Sequence, residues 1–130
     1  MILGIGCDIC DIHRIEKLIE SHGEQFLKRV FTPSERERLQ KRAKVASGFA
    51  KVFAAKEALV KALANSTDIS WQDIEVVKNF HGRPEFILHN AAHKMAKTLA
   101  EGDYTLHLSL SDEPPYALAY VIFEKSLTPL

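Results

Sequence analysis

An α+β fold, with helices packed on an antiparallel sheet, is predicted by three features of this 130-residue sequence. Apolar periodicity gives the order β-α-α-α-β-β-α-β-β, in which helices and strands come in runs and do not alternate one for one. Residues 104–111 alternate, with Leu106, Leu108 and Leu110 pointing one way and His107, Ser109 and Ser111 the other. Residues 49–64 form one long run of good helix formers, and the rest of the chain is organised around it.

Taken in order, residues 2–9 read as a strand with Leu3, Ile5, Cys7 and Ile9 on its apolar face. Gly4 and Gly6 leave the opposite face bare, so a helix or a ligand can approach Asp8 there. Asp11 caps the next helix, Ile12, Ile15, Leu18 and Ile19 form its stripe, and Gly23 is expected to end it. Arg14, Lys17 and Ser21 share its other face, which by itself reads as solvated charge, and Lys28 and Arg29 follow a short loop later. Thr32-Pro33-Ser34-Glu35 carries a threonine cap, a proline at the first position and a glutamate at the third, a strong helix start. The helix it opens, to about Arg42, is charged nearly all round and is expected to be exposed, with Lys41, Arg42 and Lys44 making its end basic.

In the central helix Ser47-Gly48 offers a start and Asn65-Ser66 a stop. Phe49, Val52, Phe53, Leu59, Val60 and Leu63 make one apolar side, with Glu57 at its edge. Lys61 lies one turn beyond Glu57, and Ala54 and Ala50 lie one and two turns before it, a small-residue row that leaves space for an approaching group. Lys56 falls inside the stripe and is expected to lay its stem on the core and reach water, while Glu57 and Lys61 suit an ordinary i,i+4 pair. Downstream, residues 74–78 and 85–88 pair through the turn at residues 80–84, and residues 89–101 form a short amphipathic helix closed by Gly102-Asp103. His89 and His93 stand at metal-compatible i,i+4 spacing, but no glutamate follows the first, so two exposed histidines are expected. Residues 116–123 are almost continuously apolar and read as a buried strand, hairpinned to residues 104–111 through the turn at Asp112-Glu113-Pro114-Pro115.

No repeat, low-complexity segment or linker interrupts the chain, so residues 1–130 are read as one domain. It is 46% hydrophobic and 26% charged, with 17 basic and 17 acidic residues. That balance supplies no global field for nucleic acid or a membrane surface. No run is long enough to span a bilayer, and Met1 leads straight into a strand with no signal peptide, so a cytoplasmic protein is expected. Cys7 and Cys10 have C-x-x-C spacing, but a zinc site lacks its further ligands and Cys7 sits on an apolar strand face; small buried hydrophobes are expected.

Three ordered segments then read together: Gly4-Ile5-Gly6-Cys7-Asp8-Ile9, the run Phe53-Ala54-Ala55-Lys56-Glu57 with Lys61, and His107-Leu108-Ser109-Leu110-Ser111-Asp112 before a hydrophobic strand. In this order they resemble holo-acyl-carrier-protein synthase, the small bacterial 4′-phosphopantetheinyl transferase, over residues 2–124. The resemblance implies transfer of the phosphopantetheine arm of coenzyme A to a serine of apo-acyl carrier protein, releasing adenosine 3′,5′-bisphosphate. It implies that Asp8 and Glu57 hold Mg²⁺ against the pyrophosphate, a role suited to a cation that prefers one or two carboxylates plus phosphate and water. Lys61 then stabilises phosphate charge, His107 lies at the coenzyme A site, and Lys44 meets the 3′-phosphate. Arg14 and Arg29 grip the acidic helix of the carrier, and a homotrimer builds each site between neighbouring subunits. Glu57 and a metal-bound water both stay open as the base. The serine nucleophile comes from the carrier, which accounts for the lack of a Ser-His-Asp or Cys-His arrangement.

The chain departs from the pattern in three places: Val52 for an arginine with Lys51 beside it, Ala64-Asn65-Ser66 for Gly-Thr-Gly, and Asp112 where many relatives have histidine. Two competing readings remain, a transferase serving a carrier domain of a secondary pathway, and a non-catalytic module that binds an acidic helical partner through Arg14, Lys17, Lys28 and Arg29.

Overall fold

The computed structural model describes residues 1–64 and 68–127. Strand β1 (Ile2–Asp11) enters helix α1 (Ile12–Val30), and Asp11 caps it as its sequence predicts, its carboxylate accepting from the His13 N–H at 2.9 Å. Gly23 does not end this helix. It adopts a left-handed φ of 48° and bends the chain, which resumes its helix to Val30. Helix α2 (Pro33–Gln40) starts on the predicted capping box, with the Thr32 hydroxyl and the Glu35 carboxylate each accepting from the other's backbone N–H. Helix α3 (Val45–Ala62) begins four residues before Phe49, so Lys44 is its cap residue; the expected stop at Asn65-Ser66 lies outside the described residues. A 3-10 turn (Trp71–Asp73) leads to the hairpin β2 (Ile74–Lys78) and β3 (Pro84–Leu88), and helix α4 (Asn90–Ala100) is followed by strands β4 (Tyr104–Glu113) and β5 (Tyr116–Lys125).

The predicted α+β class is what forms, with two separate antiparallel sheets, β1-β5-β4 and β2-β3. Helix α3 lies on β1 and β5 and is covered on nearly every side. Its alanine row is therefore not an open approach, since Ala50, Ala54 and Ala58 are buried against neighbouring elements. Gly4 and Gly6 explain the close contact. A Cβ on Gly6 would sit 1.8 Å from the Ala58 carbonyl oxygen, and one on Gly4 2.1 Å from that of Ala62. Because the glycine face takes the helix, the apolar face of β1 is left outside: Ile5 is 71% and Ile9 62% exposed, and Cys7 is exposed while Cys10 is buried. The expectation of two buried cysteines thus holds only for Cys10. Strand β5 is likewise buried on one face only, through Ala117, Ala119, Val121 and Phe123, with Tyr116, Tyr120 and Ile122 exposed on the other.

Two further expectations are overturned by a single contact. Lys56 does not reach water, and α2 is not exposed all round, because Lys56 and Glu35 form a fully buried ion pair at 2.7 Å. The ammonium also donates to the carbonyls of Val30 (2.7 Å) and Trp71 (3.1 Å), and the carboxylate accepts from the backbone N–H of Thr32 and Val76. Burial pushes the Lys56 pKa down more strongly than the Glu35 charge pulls it up. His89 and His93 do not converge: the first bonds Glu75 at 3.0 Å and the second the Tyr104 hydroxyl at 2.6 Å. Among the described residues no helix is long and apolar enough to cross a membrane.

Candidate active site

The site grows from the glycine face of β1. With no side chains at Gly4 and Gly6, α3 packs its backbone onto the strand, and the next residue on that face, Asp8, comes beside the helix. The expected Glu57–Lys61 pair gives way to a longer-range one. The Lys61 ammonium stands 3.2 Å from an Asp8 carboxylate oxygen and donates to the Cys7 carbonyl at 2.9 Å. Glu57 is half-buried next to them, and its pKa is raised, first by burial and then by the Asp8 charge, against the pull of Lys61 and Arg14. The buried Cys10 thiol feels the same surroundings. Burial and the Asp8 carboxylate push it up to about 11, so it stays a neutral thiol.

Two carboxylates and two cations, Asp8, Glu57, Lys61 and Arg14, are therefore gathered at one end of α3. Glu57 keeps a raised pKa despite its cationic neighbours, so another positive charge would be favoured there. An all-oxygen pair of carboxylates fits a hard divalent cation. Among the described residues no cluster of three or more His, Cys, Asp and Glu side chains is placed to bind a metal ion, so an ion here would complete its shell with water and substrate oxygens.

His107, Lys44 and Arg29 lie elsewhere in a single chain. His107 projects from the opposite face of the sheet and bonds Glu124 at 2.9 Å, an interaction that holds the Glu124 pKa down. Lys44 sits at the far end of α3, thirteen residues from Glu57 and so about 20 Å along the axis. There it helps line a cleft of about 590 Å³ with Ile12, His13, Glu16 and Asp112. Arg14 borders a surface hollow of about 330 Å³ along α1, and Arg29 a second of about 440 Å³ past the bend. Leu18 and His22 line both hollows, which makes one continuous strip.

Sequence reasoning missed a cationic ring formed by Arg38, Arg42, Lys51 and Lys78 around the buried Val52. The basic end of α2 and the Lys51-Val52 departure were its visible traces, but Lys78 arrives from a distant hairpin. At the second departure, Ala64 holds a left-handed φ of 63°, the conformation a glycine would adopt without strain. Asn65 and Ser66 lie outside the described residues. Asp112 accepts from Ser47 at 3.2 Å and Lys51 at 3.4 Å.

This arrangement has counterparts. The sequence pattern of the ACPS family, 4′-phosphopantetheinyl transferase superfamily, matches residues 4–121, which include both site carboxylates. The chain belongs to this superfamily. A phosphopantetheinyl transferase relative, the holo-acyl-carrier-protein synthase of Methylobacterium radiotolerans, is 48% identical over 128 residues, covering 95% of this chain and 94% of that protein. The crystal structure of holo-acyl-carrier-protein synthase from Neisseria meningitidis matches with a TM-score of 0.85 at 35% identity, over 96% of this chain and 100% of that one. The Bacillus anthracis holo-acyl-carrier-protein synthase, solved in complex with coenzyme A (3′,5′-ADP), matches with a TM-score of 0.79 at 33% identity, over 97% and 99%. The resemblance carried by the three motifs thus extends to the phosphopantetheinyl transferase fold as a whole, and the expected enzyme is a transferase of this superfamily.

Proposed function

We propose that the chain is an Mg²⁺-dependent transferase that moves the 4′-phosphopantetheine of coenzyme A onto a serine of apo-acyl carrier protein, as part of fatty-acid synthesis in the cytoplasm. The observation that carries this reading is the meeting of Asp8, Glu57 and Lys61 on a glycine-cleared strand face. In the reaction the serine oxygen forms a bond to the phosphorus bearing the pantetheine arm. The pyrophosphate bond breaks, adenosine 3′,5′-bisphosphate leaves with its electron pair, and the serine proton passes to a base. When bound, Mg²⁺ supplies charge neutralisation for the pyrophosphate, held by the carboxylates of Asp8 and Glu57. Lys61 adds a hydrogen-bonding cation beside the same phosphates. Glu57 and a water held by the ion are the two candidates to receive the serine proton.

The carrier docks along α1, where Arg14 and Arg29 mark the two ends of a strip reaching to the Asp8 site. A homotrimer accounts for two features that one chain leaves unused. It covers the apolar outer face carrying Ile5, Ile9 and Tyr120. It also lets His107 and Lys44, which lie away from Asp8 and Glu57 in their own chain, act on coenzyme A at a neighbour's site. The balanced charge of the chain is matched to a protein and a nucleotide co-substrate, with no broad attraction to nucleic acid or membranes.

The test is the intact mass of apo-acyl carrier protein after incubation with the chain, coenzyme A and Mg²⁺, with and without a chelator. The expected result is a gain of one phosphopantetheine, lost with chelator and with Glu57→Ala. Carrier binding without any mass gain, and unaffected by Glu57→Ala, would instead make the chain a docking module.

A further inference from the structure

The bend at Gly23 turns the last part of α1, residues 24–30, into a short arm. Gly23 leaves the helical conformation, so the helix before it does not by itself set the direction of this arm. Arg29 is exposed on the arm and forms no ion pair among the described residues, while its neighbour Lys28 is paired with Glu24 at 3.7 Å. The last carbonyls of a helix have no partners within it. Here the Leu27 carbonyl is taken by the Phe31 N–H at 3.0 Å, and the next four carbonyls are met by two side chains from outside the helix. The Gln72 amide donates to the carbonyls of Lys28 at 2.7 Å and Phe31 at 2.9 Å, with a longer contact of 3.4 Å to that of Arg29. The Lys56 ammonium takes that of Val30 at 2.7 Å, and its 3.1 Å bond to the Trp71 carbonyl fixes the turn that carries Gln72.

Three carbonyl oxygens around one amide leave it a single orientation, because only its NH2 end donates. Packing beneath the arm comes from rings, Phe26 meeting Phe31 at 5.9 Å and Phe53 at 6.5 Å between centroids. Ring packing holds the arm down. The directional bonds of Gln72 set how its last turn is rotated, and hence where Arg29 points. We propose that Gln72 is a positioning residue for carrier docking, acting through the end of α1 to aim the Arg29 guanidinium at an acidic surface of the carrier. The inference rests on the reading of α1 as the carrier-binding strip. It adds a residue that touches neither the carrier nor coenzyme A and lies 43 positions along the chain from the one it directs.

The test is a double-mutant cycle in steady-state transfer to apo-acyl carrier protein, with Gln72→Met, Arg29→Met and the two combined. Gln72→Met removes both donors at nearly unchanged length. It is expected to raise the KM for the carrier at least about threefold, near the lower end of the coupling between residues of one network, with kcat and the KM for coenzyme A unchanged. Arg29→Met is expected to raise the carrier KM about tenfold, the worth of one charge-assisted contact. Added to Arg29→Met, Gln72→Met then changes the carrier KM by less than about 1.5-fold, since no guanidinium is left to aim. Gln72→Glu turns acceptors toward the same carbonyls and should raise the carrier KM as well; it takes the place of Gln72→Met if melting curves show that variant unfolded. A Gln72 effect of equal size with and without Arg29, an effect on kcat alone, or an unchanged carrier KM overturns the proposal and leaves Gln72 a cap that serves stability only. Transfer that is normal in Arg29→Met overturns the role of Arg29, whereas no transfer by the unaltered chain overturns the carrier reading itself.

Discussion

Burial and the Asp8 charge both favour the protonated form of Glu57. Its folded-state pKa lies above the unfolded value, so the stability it contributes is full below that value and is lost as pH rises through the folded one. Near neutral pH the ionised carboxylate therefore opposes folding. Glu57→Gln should melt at a higher temperature than the parent at pH 8, with the gap closing below about pH 4.5, the ordinary glutamate value. If Glu57 holds Mg²⁺ as proposed, phosphopantetheine transfer should also fall by at least about 100-fold, since removing that carboxylate forfeits several kcal/mol of charge stabilisation. Parallel melting curves and carrier mass measurements read both halves, and a variant that loses stability as well as turnover would refute the sign. Removing the buried cation at position 56 should act the other way on stability: Lys56→Met strips the Glu35 carboxylate of its ion-pair partner in the core, and should cost about 3–5 kcal/mol in urea denaturation.

At the scale of elements, β1 and α3 approach backbone to backbone because glycine occupies two consecutive inward positions of the strand. Gly6→Ala places a methyl group 1.8 Å from the Ala58 carbonyl, so helix and strand must separate. The expected cost is about 1–3 kcal/mol or more, together with reduced transfer as Asp8 shifts from Lys61. Gly23→Ala is the control: nothing lies within 4 Å, and only its left-handed φ of 48° is strained, so the loss should be smaller and transfer largely retained. This packing also explains what could be read from the chain. The caps at Asp11 and Thr32 were legible because their donors lie within three residues. The glycine face of β1 was legible as one a helix can approach, and α3 takes it. The burial of Cys7 was misread, because apolar alternation groups it with Leu3 and Ile5 on the face that stays outside. Lys56 looked like a surface lysine because its partner is Glu35, twenty-one residues away on another helix. Motif order identified Asp8, Glu57 and Lys61 together, yet spacing carried no information that His107 and Lys44 lie apart from them.

For the molecule as a whole, an exposed apolar sheet face calls for a partner, and the proposed trimer supplies copies of the same chain. Ile5→Glu should leave the buried core intact but introduce a charge into that interface. Sedimentation should then report a smaller species, and carrier modification should fall with it, because His107 and Lys44 lose their neighbour's carboxylates. A variant that sediments like the parent and modifies the carrier normally would argue against sites shared between subunits. The strip along α1 and the ring around Val52 are locally basic in a chain of 17 basic and 17 acidic residues, so salt should weaken carrier and nucleotide binding without a general effect on solubility.

The alternation of β1 also sorts its two thiols. Cys7 and Cys10 are three residues apart, so the pleat sends one outward among Ile5 and Ile9 and the other inward beside Asp8 and Glu57. They cannot close a disulfide within the chain without breaking the strand, and they differ in chemistry as well as position. A maleimide added to the folded protein should label Cys7 alone, because Cys10 is shielded and held as the unreactive thiol. The extent of that labelling, followed against protein concentration, turns a natural residue into an optical gauge of whether the outer sheet face is covered.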